Sequence, residues 1–329
     1  MMNNNIYLNG IMGLVVGDAL GCPVEFVNRE ELEANPVTDM GEYGTFNMPR
    51  GTWTDDSSLT MATLDALRYG YDLKRIQDNF VKWLYEGKYT PAGITFGVGS
   101  TCKTAIAECA RDNNRTNKYG IYDEFSNGNG SLMRILPVCL YVYELLQDKL
   151  SVEEGISMIH DVSAITHAHR RSQMACGIYF FIVDEILSNR SDLFENVEAG
   201  IQRAFDYYEL CNGKDELSHY SRLFNLRKFK NLKSNKIRSS GYVVDSLEAA
   251  IWSLLNTNTF KDATLKAVNL GYDSDTVGAI TGGLAGLYYG VQNIPVEWKY
   301  AIQRREWIEK KCEEVARLDK TLLQETREV

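Results

Sequence analysis

The hydrophobic residues of the chain recur mostly at helical spacing. In DDSSLTMATLDALRYG, the apolar residues Leu59, Met61, Leu64 and Leu67 follow two acidic residues and end before a glycine, a pattern typical of a helix. The same analysis predicts helices in RRSQMACGIYFFIVDEILSN, ENVEAGIQRAFDYYEL, SLEAAIWSLLN and FKDATLKAVNLG. Two further segments, NGIMGLVVGDALG and DTVGAITGGLAGLYYG, are rich in small residues and predict buried helices that pack closely.

Strand-like segments are few and short. The best of them, GYVVD at 241–245, runs directly into a predicted helix. The polar, basic segment 211–240 is the strongest candidate for a long loop or insertion. Because no low-complexity linker or fixed-period repeat divides the chain, we predict one compact, all-α, multi-helix domain over residues 1–329.

Charge and cysteine usage exclude several classes of protein. The net charge is −9 and the sequence pI is near 5.1, which argues against a nucleic-acid-binding surface. The basic run 227–238 is interpreted as a solvated loop. Seven cysteines without a CxxC pair suit free thiols in a reducing compartment. No signal-type segment and no bilayer-length apolar run stand out, so a cytoplasmic protein is expected.

Two acidic clusters stand at predicted helix starts. The first is TDD (Thr54, Asp55, Asp56) and the second is DSDT (Asp273 to Thr276). Helix capping accounts for one carboxylate in each cluster, whereas the second adds repulsion. If the clusters converge, four carboxylates share one site, which is unstable without a cation. Oxygen ligands without paired His or Cys favour Mg²⁺ or Mn²⁺ over other metals.

Two more carboxylates lie in or just after an apolar helix. Asp18 and Glu25 belong to GDALGCPVEF, where a charge is costly unless it is paired or bound to a metal. Glu25 is either a surface residue in the loop after Pro23 or a third acidic group of the same site.

Glycine-rich loops are the remaining candidates for ligand binding. TFGVGSTCKT, 95–104, nearly matches a phosphate-binding P-loop, but Cys102 replaces the last glycine and no buried strand precedes it, which excludes a nucleoside triphosphatase. This loop and SNGNGSLMR, 126–134, are either tight turns or cradles for a phosphate. His167 and His169 of THAHRRS have no matching third nitrogen or sulfur ligand, so a zinc site is not expected.

Taken in order, these motifs resemble the ADP-ribosylglycohydrolase family. The resemblance rests on GLVVGDALGCPVEF, GTWTDDSSLTMATLDAL, NGNGSLMRILPV, THAHRRS, SSGYVVDSLEAAIWSLLN and AVNLGYDSDTVGAITGGLAGLYYG, and it covers about residues 6–290. It implies a single all-α domain with two divalent cations, Mg²⁺ or Mn²⁺. The implied metal ligands are Thr54, Asp55, Asp56, Asp273, Asp275 and Thr276.

The resemblance also implies the reaction and the residues that carry it. The expected activity is hydrolysis of the glycosidic bond between ADP-ribose and a modified acceptor, with release of ADP-ribose. The catalytic candidates are Glu25, Asp55, Asp56 and Asp275, and which of them moves a proton stays open. The implied substrate-binding residues are Gly97, Gly99, Ser100, Asn127, Gly128, Asn129, Gly130, Ser131, His167 and Tyr242.

One departure from the family leaves the acceptor open. Some arginine-directed members have an acidic residue where this chain has Phe96-Gly97-Val98-Gly99, so arginine, serine and other acceptors all stay possible. The expected partner is an ADP-ribosylated protein or other ADP-ribosylated acceptor. Binding to a membrane is not expected, and nucleic acid is expected only as a modified substrate. A monomer is favoured over an oligomer. Two alternatives are a non-catalytic module that binds ADP-ribose or an ADP-ribosylated partner, of the immunity or antagonist type, and a structural protein that keeps the scaffold.

Overall fold

The structure is a computed structural model that describes residues 5–112, 119–147, 149–188, 192–211 and 213–325. Short 3₁₀ turns join many of its helices. The α-helices, numbered in chain order, are α1 (Ile6–Gly21), α2 (Arg29–Ala34), α3 (Asp55–Leu67), α4 (Leu73–Glu86), α5 (Ser100–Arg111), α6 (Leu136–Leu146), α7 (Val152–Ser163), α8 (Arg170–Ser188), α9 (Leu193–Glu209), α10 (Leu226–Lys230), α11 (Val243–Leu255), α12 (Phe260–Val268), α13 (Ser274–Tyr289), α14 (Val296–Ala301) and α15 (Arg305–Glu325).

The all-α prediction is confirmed, and each helix predicted from the sequence is present. The helix predicted from Arg170 runs to Ser188, and residue 189 of that prediction lies outside the described residues. Within the described part of the chain, β-structure is limited to isolated bridges such as Gly128–Tyr242. The strand-like segment 241–245 opens α11 instead, because Val243 and Val244 are buried in its first turn.

The segment 211–240 differs from the predicted loop. Its described residues form a run of 3₁₀ turns over Lys214–Asn225, followed by α10 and a last turn at Ser234–Lys236. Tyr220 and Phe229 are buried, and the Tyr220 hydroxyl donates a hydrogen bond of 2.6 Å to the carbonyl oxygen of Arg171. The segment is therefore helical and packs on the core.

Helices α1 and α13 lie against each other at the centre of the core with their backbones in contact. A Cβ atom added at Gly17 would lie 2.0 Å from the Gly278 carbonyl oxygen, and one added at Gly13 would lie 2.2 Å from that of Gly282. Only glycine permits so close an approach. We call Gly13, Gly17, Gly21, Gly278 and Gly282 the glycine interface. It brings the C-terminal end of α1 against the N-terminal end of α13, since Ser274 Oγ donates to the Gly21 carbonyl oxygen at 3.0 Å.

The stretch Ile6–Val24 is long and apolar enough to span a bilayer, with a mean hydropathy of 1.3. The expectation that no apolar run reaches bilayer length is wrong for this stretch. Its most apolar window is 83% buried inside the protein, which identifies it as a core helix packed on α13, α3 and α6 rather than as a lipid-facing one.

Candidate active site and metal centre

Three helix ends meet at one buried cluster of carboxylates. Glu25 follows α1, Asp55 and Asp56 begin α3, and Asp273 and Asp275 lie at the start of α13. One carboxylate oxygen from each of Glu25, Asp273 and Asp275 lies within 4.8 Å of the others. The Thr276 hydroxyl donates to Asp56 Oδ2 at 3.4 Å. The structure therefore brings the two acidic clusters of the sequence together.

Asp18 fixes the start of α3, a role that the sequence analysis did not assign. Its fully buried carboxylate accepts hydrogen bonds from the backbone N–H groups of Thr54 and Ser57 at 3.0 Å and from the Ser57 hydroxyl at 2.5 Å. Thr54 is the N-cap of α3, and its hydroxyl accepts from the Asp56 N–H at 3.4 Å. Asp18 adds a second cap from outside, because it binds the N–H groups of the cap residue and of Ser57 in the first turn. Burial raises the pKa of Asp18 to about 6 against the opposing effect of these donors. The only signal in the sequence is a single charge in an apolar helix.

The cluster is electrostatically unsatisfied. Burial, together with the neighbouring negative charges, raises the pKa values of Asp55, Asp56 and Asp275 well above their usual range and that of Glu25 to about 8. Glu25 Oε2 and Asp56 Oδ1 are buried without a hydrogen-bond partner. Crowded carboxylates with free oxygens, and with hydroxyl groups beside them, are the donor set of a hard divalent cation. The residues present therefore fit the metal site that the sequence predicts.

Further polar contacts hold individual carboxylates of the cluster in place. Asn129 Nδ2 donates to Asp273 Oδ2 at 2.7 Å and to Ser246 Oγ at 2.8 Å. Thr54 does not line the cavity described below; its hydroxyl donates to Asp56 Oδ2 at 3.1 Å. These contacts orient the carboxylates before any ligand arrives.

The cluster forms the floor of a cavity of about 480 Å³. Its wall includes the two predicted glycine-rich loops. Gly97 has φ +73°, and a Cβ atom there would lie 2.9 Å from Asp55 Oδ1, so this loop packs directly on the cluster. The predicted site residues that line the cavity are Glu25, Asp55, Asp56, Gly97, Gly99, Ser100, Gly128, Asn129, Gly130, His167, Asp273, Asp275 and Thr276.

His167 reaches the cavity as a neutral imidazole. Its Nδ1 atom pairs with the Thr166 hydroxyl at 2.8 Å, and the same hydroxyl accepts a hydrogen bond of 2.7 Å from Arg134. Burial and the nearby Arg134 charge lower the pKa of His167 to about 3. Its Nε2 atom lies on the cavity side beside Gly128, so the ring offers a polar contact without a charge. His169 pairs with Asn127 instead, at 3.0 Å.

Three predicted substrate-binding residues lie away from the cavity wall. Ser131 is fully buried and accepts from the Ser163 hydroxyl at 2.9 Å. Asn127 and Tyr242 line a neighbouring groove of about 420 Å³, together with Phe125 and Arg171. This groove shares Gly128 and Gly241 with the cavity, so the two are continuous.

The all-α fold and the buried cluster of carboxylates at the floor of a cavity agree with what the motifs imply. The sequence profile of the ADP-ribosylglycohydrolase family matches residues 4–327, and the chain belongs to this family, as the motifs predicted. It is accordingly an ADP-ribosyl glycohydrolase by class, and its reaction is hydrolytic removal of ADP-ribose.

Named relatives and a solved structure cover most of the chain. The ADP-ribosylarginine hydrolase Tri1 of Serratia proteamaculans is 31% identical over 93% of this chain and 77% of its own. The ADP-ribosyl-[dinitrogen reductase] glycohydrolase of Rhodospirillum rubrum is 30% identical over 88% of each chain. A solved structure described as an ADP-ribosylglycohydrolase-related protein complex is 28% identical, covers 96% of this chain and 98% of its own, and superposes with a TM-score of 0.77.

Proposed function

We propose that this protein is a divalent-metal-dependent hydrolase that removes ADP-ribose from a modified protein by cleaving the bond at the anomeric carbon of the ribose. The observation that carries the proposal is the cluster of Glu25, Asp55, Asp56, Asp273 and Asp275 at the cavity floor, where buried carboxylate oxygens have no protein partner. Such a cluster is stabilised by bound cations or by protonation, and its oxygen-only donor set suits hard divalent cations.

The proposed ligands fall into two groups that share the cluster. Thr54, Asp55 and Asp56 form the first group, and Asp273, Asp275 and Thr276 form the second; two Mg²⁺ or Mn²⁺ ions suit this set. Bound there, divalent ions supply Lewis-acid polarisation of substrate oxygens and lower the pKa of a bound water.

The chain's own carboxylates supply proton transfer. Water adds to the anomeric carbon, the bond from that carbon to the acceptor breaks, and the acceptor leaves with a proton. We assign this transfer to Glu25. Glu25 belongs to neither proposed ligand group, and it lies on the cavity wall with a buried, unpartnered Oε2.

The rest of the substrate follows the continuous surface. Helix α5 begins at Ser100, and its N-cap Gly99 offers no side-chain cap, so its first N–H groups are available to the diphosphate. The groove beyond Gly128 and Gly241 presents Phe125, which is 96% exposed, beside Tyr242. An adenine base stacks favourably on such rings. Tyr242 therefore keeps its predicted substrate contact, at the nucleoside end rather than at the cavity floor.

Two further predictions belong to the same proposal. The acceptor is part of an ADP-ribosylated protein, as the name of the Rhodospirillum rubrum relative states for its own substrate. The seven cysteines are free thiols and all except Cys211 are buried, which suits a reducing cytoplasm.

The test is release of ADP-ribose by metal-loaded protein and by Asp275→Ala. Asp206→Ala, which removes an exposed carboxylate on α9, is the matched control. We expect Asp275→Ala to stay folded and to lose activity at least 100-fold, while the control keeps it. The parent should lose activity after chelation and regain it with Mg²⁺ or Mn²⁺. Full activity in the stripped protein would refute the metal requirement, and tight ADP-ribose binding without release would favour the non-catalytic binding module.

A further inference from the structure

Three phenylalanine rings stand in a row beside the carboxylate cluster. The ring centroids of Phe26 and Phe46 are 6.3 Å apart, and those of Phe46 and Phe96 are 5.1 Å apart. Phe26 and Phe46 line the cavity, and Phe96 directly precedes its lining residue Gly97. We call Phe26, Phe46 and Phe96 the aromatic wall.

The wall is fixed to the acidic residues by the backbone. Phe26 follows Glu25 in the chain. The turn that carries Phe46 is bound to the same segment, because Thr45 Oγ1 donates to the Glu25 carbonyl oxygen at 2.6 Å and Thr45 N–H donates to that of Pro23 at 2.9 Å. The rings are therefore held at a set position relative to the carboxylates.

Phe26 is an unexpected residue at its position. It has φ +67° and is 69% exposed. A bulky side chain in the left-handed region costs about 1–3 kcal/mol, and an exposed ring recovers little of this by burial. Neither the turn nor the core requires phenylalanine there, so ligand binding is the remaining explanation for the ring.

The chemistry of the wall suits a flat cation. Aromatic faces attract cations, and a guanidinium group stacks on them better than a compact ammonium does. Glu25, whose Oε2 has no hydrogen-bond partner, offers an acceptor for guanidinium N–H groups at the base of the wall. A serine hydroxyl has neither a charge nor a planar group that could stack on these rings. Gly97 and Val98, which also line the cavity, carry no charge, so the rings are the main contact that this side of the cavity offers to the acceptor.

We propose that the aromatic wall is the acceptor subsite and that it selects an arginine-linked ADP-ribose by stacking on the guanidinium group, with Phe46 as the specificity-determining residue. This inference rests on the proposed function for its substrate. It assigns the acceptor contact to side chains outside the predicted site residues.

The first experiment compares two peptides of the same sequence, one ADP-ribosylated on arginine and one on serine, with the metal-loaded parent, Phe46→Leu and Phe46→Tyr. Phe46→Leu should lower the arginine-to-serine ratio of kcat/KM roughly 2- to 30-fold, through KM, as loss of one cation–π contact implies. Phe46→Tyr, which keeps the ring, should restore the ratio. Phe224→Leu changes an exposed ring that packs on Phe205 and does not line the cavity, and it should leave the ratio unaltered. An unchanged ratio in Phe46→Leu overturns the proposal.

The second experiment needs no turnover. Calorimetric titration of the metal-loaded, ADP-ribose-saturated protein with ethylguanidinium should show binding that Phe46→Leu weakens, with ethylammonium as the matched cation. If the parent cleaves neither peptide but binds ethylguanidinium in this way, the proposed function fails and the wall stands. Equal binding of both cations, or binding independent of Phe46, would overturn the acceptor-subsite proposal and leave the proposed function intact.

Discussion

Replacing Gly21 by alanine is expected to displace the start of α13 and with it Asp275. The added Cβ atom would lie 2.3 Å from the Asp275 backbone nitrogen and 2.4 Å from its Cα atom. Both neighbours are helical backbone, so no flexible side chain can move aside. This one methyl group acts on the site without changing any charged or polar side chain in it.

The expected size of the effect follows from these distances. Ordinary contact between such atoms is near 3.5 Å, so the two helix ends must separate by about 1 Å. Overpacking of this kind costs about 1–3 kcal/mol of unfolding free energy. A displacement of about 1 Å at reacting groups lowers the rate by roughly 100-fold.

The assay pairs chemical unfolding with kcat/KM for ADP-ribose release, measured where the variant is fully folded. Gly41→Ala is the matched control, because its Cβ atom would lie 3.6 Å from Pro23, in ordinary contact. The control should match the parent in both measurements. A folded Gly21→Ala protein with kcat/KM within twofold of the parent would refute the argument that the glycine interface positions the site.

Three further predictions follow from named contacts. Asp18→Asn should lower the unfolding free energy by about 1.5–3 kcal/mol in urea titrations, since a neutral amide replaces the charged acceptor of the α3 start; an unchanged midpoint would contradict this. Burial raises the pKa of Glu248 to about 7 despite Arg222. The folded protein therefore binds this proton more tightly than the unfolded chain does. The unfolding free energy should fall as pH rises from about 4.5 to 7, with a slope of up to about 1.4 kcal/mol per pH unit. Glu248→Gln should flatten that slope in metal-loaded protein, with Asp245 and Arg238 left in place, and an unaltered slope would refute the assignment. Chelated protein should unfold at a lower temperature than metal-loaded protein, and Mg²⁺ at 100 times its Kd should add about 2.7 kcal/mol; a temperature unaffected by either would count against a folded-state metal site.

The helical pattern of the sequence was enough to predict seven of the fifteen described α-helices, including α1, α3 and α13, because apolar spacing and cap residues are local signals. The acidic clusters could be recognised as unusual for the same reason. Their convergence could not be derived from spacing, since Asp56 and Thr276 are 220 positions apart. The convergence depends on how α1 and α13 pack. The family resemblance implied this convergence, whereas the periodicity of the sequence did not.

The direction of individual side chains was harder to predict. Ser131 belongs to a glycine-rich loop but points into the core, and Tyr242 faces the neighbouring groove. The role of Phe46 could not be predicted, because its partners Phe26 and Phe96 come from distant parts of the chain. Contacts of this kind are set by tertiary packing, and a single sequence carries no local signal for them.

The glycine interface also decides where the chain can change in length. Its contacts recur every four residues along α1 and α13, so one residue inserted between Gly13 and Gly17 would rotate everything beyond it by about 100°. The glycines of one helix would then face bulky side chains of the other, and Asp18 would turn away from α3. Described connections that lie away from the cavity carry no such register. Growth and trimming of the chain are therefore compatible with the active site in its surface turns, whereas the two central helices must keep their residue count.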